Sequence, residues 1–355
     1  VACILLGNKA ALAAADSHYV YQKGLPVLMD TPPRPTQSEW IPPEDIPNHH
    51  EYLRDIVIGL ADYARKRDKH FNIVLLGGED LLKRSKREVL LDQMQLPLEE
   101  VAKGAVKPAG IIRESMVNAT DGLILTSSNC GGHFLNKTDR AQFSKRAVRL
   151  MFLANCQDEK KQQAVQKQAM VSKLVPLTPA MWRKGRPEVP HTRPINENID
   201  NVRDLRQVKN GMIIGSTDGY DSLDSYLEDL RGSNYDMIVI DAFFHDKAPL
   251  QKKIVETLRY KNVGSRRLVF ALMNVSLATP NKFYWNTDWR PGDPAWLRPD
   301  GLTTVDGVFL TEYWNNTWKE ILGQYFVSIM DMGYDGIVLE GLEANWYFDK
   351  KTPLK

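Results

Sequence analysis

The sequence predicts an α/β protein folded as a single (β/α)8 TIM-like barrel with loop insertions. Short apolar runs recur along the chain and alternate with stretches of helical periodicity, which is the pattern of repeated βα units. The runs are continuously apolar rather than alternating, as strands buried on both faces of a parallel sheet are. No linker divides the 355 residues into two cores, and barrels of this kind span ~200 to over 400 residues.

The elements follow in order. Residues 31 to 47 hold six prolines and read as an irregular loop. From Glu51 onward Leu53, Ile56, Val57, Leu60 and Tyr63 share one helical face. Strands are then predicted at 71–76, 122–125, 149–154, 173–177, 212–214, 237–240, 267–273 and 336–339. Helices are predicted at 140–148, 159–170, 222–231, 249–260 and 314–330. Val27 to Met29 adds a ninth strand for eight places, so one run lies outside the barrel. A doubly wound open sheet is the competing architecture, but no G-x-G-x-x-G follows the first strand.

Composition narrows the function classes. A hydrophobic fraction of 43%, a charged fraction of 25% and a net charge of +2 describe a globular chain without a strong global field toward nucleic acid. No run approaches the length of a membrane span. Lys83, Arg84, Lys86 and Arg87 read as a solvated helix face, and His49-His50 as a solvated loop. No Cys/His spacing matches a zinc site. Cys130 and Cys156 pair or stay as free thiols; spacing does not decide. Ala13 and Ala15 fit the small-residue rule for signal cleavage. Residues 1–15 are therefore read as a signal-peptide remnant and 16–355 as the barrel, with export to the periplasm or outside the cell.

Catalytic residues of such barrels lie at the C-terminal ends of strands. Asp241 and Glu340 each follow four apolar strand residues, and Glu343 comes just after Glu340. Two such acids suit glycoside hydrolysis, where one protonates the leaving oxygen and the other attacks or activates water. The alternative for each is a loop acid capping the next helix. Asp30, Asp121 and Asn274 are further strand-end polar candidates. Six of the eight tryptophans fall in the last 71 residues. Trp285, Trp289 and Trp296, with Tyr284 and Tyr313, are candidate sugar-stacking residues, whereas Trp314 and Trp318 at i, i+4 read as a core stripe.

The pieces NYDMIVIDAFF (234–244), GSRRLVFALMNVSLATPNKFYWN (264–286), PAWL (294–297), GVFLTEYWNNTWKEIL (307–322) and GYDGIVLEGLEANWYF (333–348), in this order, resemble the glycoside-hydrolase family of endo-α-1,4-polygalactosaminidases. YLRDIVIGLADYARKRDKHFNIVLLGGEDLL (52–82), ATDGLIL (119–125) and PINENIDNVRDLRQVKN (194–210) agree with that family's first half. The resemblance runs from about residue 50 to 350. It implies a TIM barrel, secretion, no metal cofactor, and cleavage of an amino-sugar (galactosaminogalactan-like) polysaccharide or oligosaccharide. The departures are specific. Leu277 and Thr279 stand where the family carries two glutamates after the RLV strand, and Thr126 and Ser127 stand where it carries an acidic pair. Three readings follow: an active hydrolase with Glu340 or Glu343 as acid and Asp241 as nucleophile or base; a degenerate barrel that binds a glycan or partner without cutting it; or other chemistry on the same scaffold.

Overall fold

The computed structural model describes residues 42, 45–127, 135–154, 156, 158–183, 185–298 and 308–354. Eight parallel strands close into a barrel. They are β1 (Asn72–Leu76), β2 (Gly122–Ser127), β3 (Arg149–Ala154), β4 (Val175–Pro179), β5 (Gly211–Ile214), β6 (Met237–Asp241), β7 (Leu268–Asn274) and β8 (Gly336–Glu340). Each strand pairs with its neighbours in sequence, and β8 returns to β1 with Leu339 level with Leu75. The sequence-predicted strands are all present with small shifts at their ends, except that Val27–Met29 lies outside the described residues.

The core has two compartments because side chains alternate across each strand. Val74, Ile124, Met151, Val239, Phe270 and Val338 fill the barrel interior. Residues of the other parity, such as Leu75, Phe152, Ile240 and Ile337, pack against the helices. The helix His49–Arg67 is capped by the Asn48 side chain, and Asn316–Asp331 by Asn315. The latter buries Trp318, Leu322, Tyr325, Phe326 and Ile329. Trp318 thus belongs to the core stripe its spacing predicts, and its indole Nε1 donates to the Val275 carbonyl at 2.8 Å.

Among the described residues no α-helix joins β4 to β5. The chain instead runs back to the N-terminal end of the barrel and plugs it. Val202, Leu205 and Val208 enter the interior core from below. Hydrogen bonds from the β6–β7 connection hold this plug: Val202 N–H donates to Arg266 O, and Lys261 Nζ donates to Asn198 O at 2.7 Å and Asp200 O at 2.9 Å.

Two readings of surface charge are corrected. Arg84 is buried and ion-paired with Asp92, Lys83 pairs with Asp139 at 2.5 Å, and Arg87 with Asp349 at 3.0 Å; Lys86 is exposed. A basic run is legible as charge, but the partners of Lys83 and Arg87 lie far along the chain. His49 and His50 are buried rather than solvated, because Asp349 of the helix Asn345–Lys351 meets both imidazoles. No helix among the described residues is long and apolar enough to cross a membrane.

Candidate active site at the barrel mouth

Asp241, Asn274 and Glu340 end three adjacent strands, β6, β7 and β8. Each continues the inward-facing parity of its strand: Val239 before Asp241, Leu272 before Asn274 and Val338 before Glu340 all lie in the interior core. The three polar side chains therefore replace what would be the next interior layer, at the C-terminal mouth. In register, Asn274 stands level with Glu340, and Leu272 level with Asp241. Strand spacing and this two-residue offset put the Cα atoms of Asp241 and Glu340 about 10–12 Å apart.

The two acids have different surroundings. Asp241 Oδ1 accepts from the Phe243 N–H at 2.9 Å, and Oδ2 is ion-paired with Lys282. Burial pushes its carboxyl up, and Lys282 opposes that shift. Glu340 Oε2 and Asn274 Nδ2 are both buried, and the Asn274 amide bonds the Glu340 carboxyl. Burial pushes the Glu340 carboxyl up to about 7; nearby Asn274 and Lys282 pull it down, and Asp241 pushes it further up. Asn274 is fixed by its other amide atom, since Oδ1 accepts from Ser276 N–H at 3.0 Å and Leu277 N–H at 2.8 Å. Gly341, at φ +78°, lets the chain turn against this amide; a Cβ there would stand 2.5 Å from Asn274 Oδ1.

Glu343 sits at the junction of β8 and β1. Its Oε1 accepts from the Gly78 N–H at 2.9 Å. Burial pushes the carboxyl up to about 8, against the Gly78 N–H. Gly77, at φ +72°, makes room: a Cβ at that position would lie 1.6 Å from Glu343 Oε1. The Gly77-Gly78 pair is thus a cradle for this carboxyl group.

Other sequence candidates divide. Asp121 precedes β2 and lies at the opposite end of the barrel, which corrects its selection as a mouth residue. There it accepts from Ile73 N–H at 2.8 Å and faces Arg65. Tyr313 is fully buried and its hydroxyl donates to His49 O, so it is not free to stack on a sugar. Asp30 lies outside the described residues. Trp285, Trp289 and Trp296 form a chain of ring contacts at 5.3 and 5.0 Å that ends on Trp318. Trp296 is buried at the inner end, while Trp285, Trp289 and Tyr284 are half-buried. Thr126 follows the inward-facing Ile124 at the top of β2. Leu277 is buried in the outer core, where it pairs across a short ladder with Leu310; Thr279 is partly exposed.

Sequence reading missed Lys282 and Asp246. Lys282 Nζ bridges Asp241 and Asp246, the latter at 2.5 Å. A lysine in a polar loop resembles any solvated charge, and its partner Asp241 is 41 residues away. Among the described residues no group of His, Cys, Asp and Glu side chains is arranged to hold a metal ion.

No family model matches the chain. It is similar to an uncharacterized protein of Methanocaldococcus jannaschii, 26% identical over 153 residues, which are 42% of this chain and 43% of that protein. An uncharacterized protein of Thermotoga maritima is 32% identical over 78 residues, 22% of this chain and 24% of its own length. Another, from Deinococcus radiodurans, is 25% identical over 125 residues, 35% of this chain and 39% of its own. The matched stretches thus span less than half the length of each of these relatives.

Proposed function

We propose that the protein is a glycoside hydrolase-like barrel acting on an amino-sugar polysaccharide or oligosaccharide, with Glu340 as general acid and Asp241 as nucleophile or base. The observation that carries this reading is the contrast between two carboxyls at one mouth. Asp241 rests on a cation, whereas Glu340 is buried beside the neutral amide of Asn274, and its pKa is raised to about 7. Two carboxyls whose surroundings separate their protonation states are what acid-and-base cleavage of a glycosidic bond requires. Trp285 and Trp289 on the adjoining loop offer aromatic faces to a sugar ring. Export fits the disulfide at Cys156, since such bonds persist in oxidising compartments.

The test is product analysis by mass spectrometry on a galactosaminogalactan-like polymer, with Asp241→Asn and Glu340→Gln alongside. Each substitution is expected to lower turnover by ~10²-fold or more while the chain stays folded. Full activity in both variants sinks the assignment.

A second reading, glycan binding without cleavage, is favoured by Leu277 and Thr279, which stand where the resembling family carries glutamates. Leu277 packs into apolar core, so a glutamate there would bury a charge. Thr279→Glu, at a partly exposed position, is the better restoring substitution. Binding on a glycan array, no products from the wild type, and products from Thr279→Glu would establish the second reading.

A further inference from the structure

We propose that Lys282 is a positioning residue that keeps Asp241 in its carboxylate form at the mouth, and that Asp246 is the anchor that fixes Lys282 there. The inference rests on the reading of Asp241 as the nucleophile or base, and concerns residues outside the acid pair itself.

The argument starts from the backbone. Asp246 lies in the turn between two short antiparallel strands, Phe243–Phe244 and Ala248–Pro249, directly beyond β6. His245 and Asp246 have φ of 49° and 64°, two successive non-glycine residues in the left-handed region. Such a turn persists when its surroundings hold it. His245 supplies that hold. Its N–H donates to Thr217 Oγ1 at 2.8 Å, its ring Nε2 meets the Tyr220 carbonyl at 2.9 Å, and the ring stacks on Phe244 at 4.0 Å. The loop after β5 thus grips this turn and directs the Asp246 carboxylate at Lys282.

Lys282 arrives from the other side, on the loop after β7, where its N–H donates to Thr279 O at 3.2 Å. Its ammonium is the cation between the two carboxylates, and both of its anionic partners come from the β6 end. Phe283, the next residue, stacks on Phe243 at 4.6 Å and fixes the loop against the same strand end. A lysine serving only to pin the loop needs one surface carboxylate. Here it faces a carboxylate that is 8% exposed and a second that is 33% exposed. The inner partner is the acid at the strand end; the outer one keeps the ammonium from leaving.

The other groups facing this cluster are Glu340 across the mouth and four tyrosines: Tyr226, Tyr284, Tyr325 and Tyr334. Burial holds each phenol in its neutral form. Among the described residues Lys282 is the cation that meets both Asp241 and Asp246.

The experiment uses the full chain with 13C at the aspartate carboxyl carbons, the Asp241 signal being assigned by its loss in Asp241→Asn. In Lys282→Met the Asp241 titration midpoint is expected to rise by about one unit or more. Lys282→Arg should leave it near the wild-type value, and Asp246→Asn, which also removes a negative charge that pushes Asp241 up, should not raise it as Lys282→Met does. An unmoved midpoint in folded Lys282→Met overturns the assignment. Should that variant not fold, Lys282→Gln carries the test, and an unmoved midpoint there overturns it. On an amino-sugar polymer the acid limb of the kcat/KM profile should move with the midpoint. A wild type without turnover overturns the hydrolase reading, while the titration still decides the role of Lys282.

Discussion

The two ends of the barrel use the same residue types to opposite effect. At the N-terminal end Asp121, Asp236 and Asp335 each stand directly before a strand, and each accepts a backbone N–H from beside the neighbouring strand: Ile73 at 2.8 Å, Lys209 at 2.8 Å and Val269 at 3.0 Å. Each also meets a cation: Arg65, Lys261 and Arg266 respectively. At the C-terminal end Glu340 is buried beside the neutral amide of Asn274, Glu343 accepts from the Gly78 N–H, and Asp241 is ion-paired with Lys282. Satisfied carboxylates hold strands in register. At Glu340 burial raises the energy of the charged form and so keeps a proton available. The carboxylates that precede strands thus serve the fold, and those that end strands include the pair proposed for chemistry.

The largest expected effect tests the structural end. Lys261→Met leaves Asp236 uncompensated in a site where both side chains are fully buried. It should cost about 3–5 kcal/mol of unfolding free energy in urea titrations. A loss below ~1 kcal/mol would mean that the plug does not need this pair.

Trp296→Ala sharpens the boundary on the mouth side. Trp296 is the buried inner link of the tryptophan chain, so the substitution should destabilise the fold by about 3–5 kcal/mol. Near-native stability together with lost glycan binding would instead place it among the sugar-contacting residues.

The next effect is a pH slope. The folded pKa of Glu340 lies near 7 and the ordinary glutamate value near 4.5. Between these two values the unfolded chain has released a proton that the native state still holds, so stability falls as pH rises and then levels off. Glu340 is 5% exposed, and the loss should amount to roughly 1–3 kcal/mol. Glu340→Gln should remove this slope. An unchanged slope in calorimetric scans from pH 4.5 to 7.5 would show that Glu340 is already ionised in the native state.

The smallest effect concerns the outer rings. Trp285→Ala, at a half-buried position, should weaken binding to an amino-sugar oligomer by about 1–2 kcal/mol, with the unfolding midpoint little changed. Calorimetric titration of the oligomer separates the two quantities.

Much of this was legible in the sequence, for identifiable reasons. Four apolar residues followed by an acid mark Asp241 and Glu340, because a period of two fixes which end residue faces inward. The same logic places Asp121, Asp236 and Asp335 at the other end, since an acid before a strand starts it rather than ends it. Asp121, directly before β2, therefore belongs to the N-terminal end. Lys282 and Asp246 were not legible, because contact between two loops depends on their folded course. Nor was the burial of His49 and Tyr313, which comes from the helix Asn345–Lys351 folding back over the start of the helix His49–Arg67.

The plug between β4 and β5 bears on how the molecule can be divided. Repeated βα units invite a cut into two half-barrels, with the boundary near residue 210. The segment carrying Val202, Leu205 and Val208 would go with the first half. The groups that secure it, Lys261, Arg266 and Asp236, would go with the second. Neither fragment would keep a closed floor: one would carry a stopper without its seat, the other a seat without its stopper. The symmetry of the strands is thus not a symmetry of assembly, and the chain closes from below only when both halves are present.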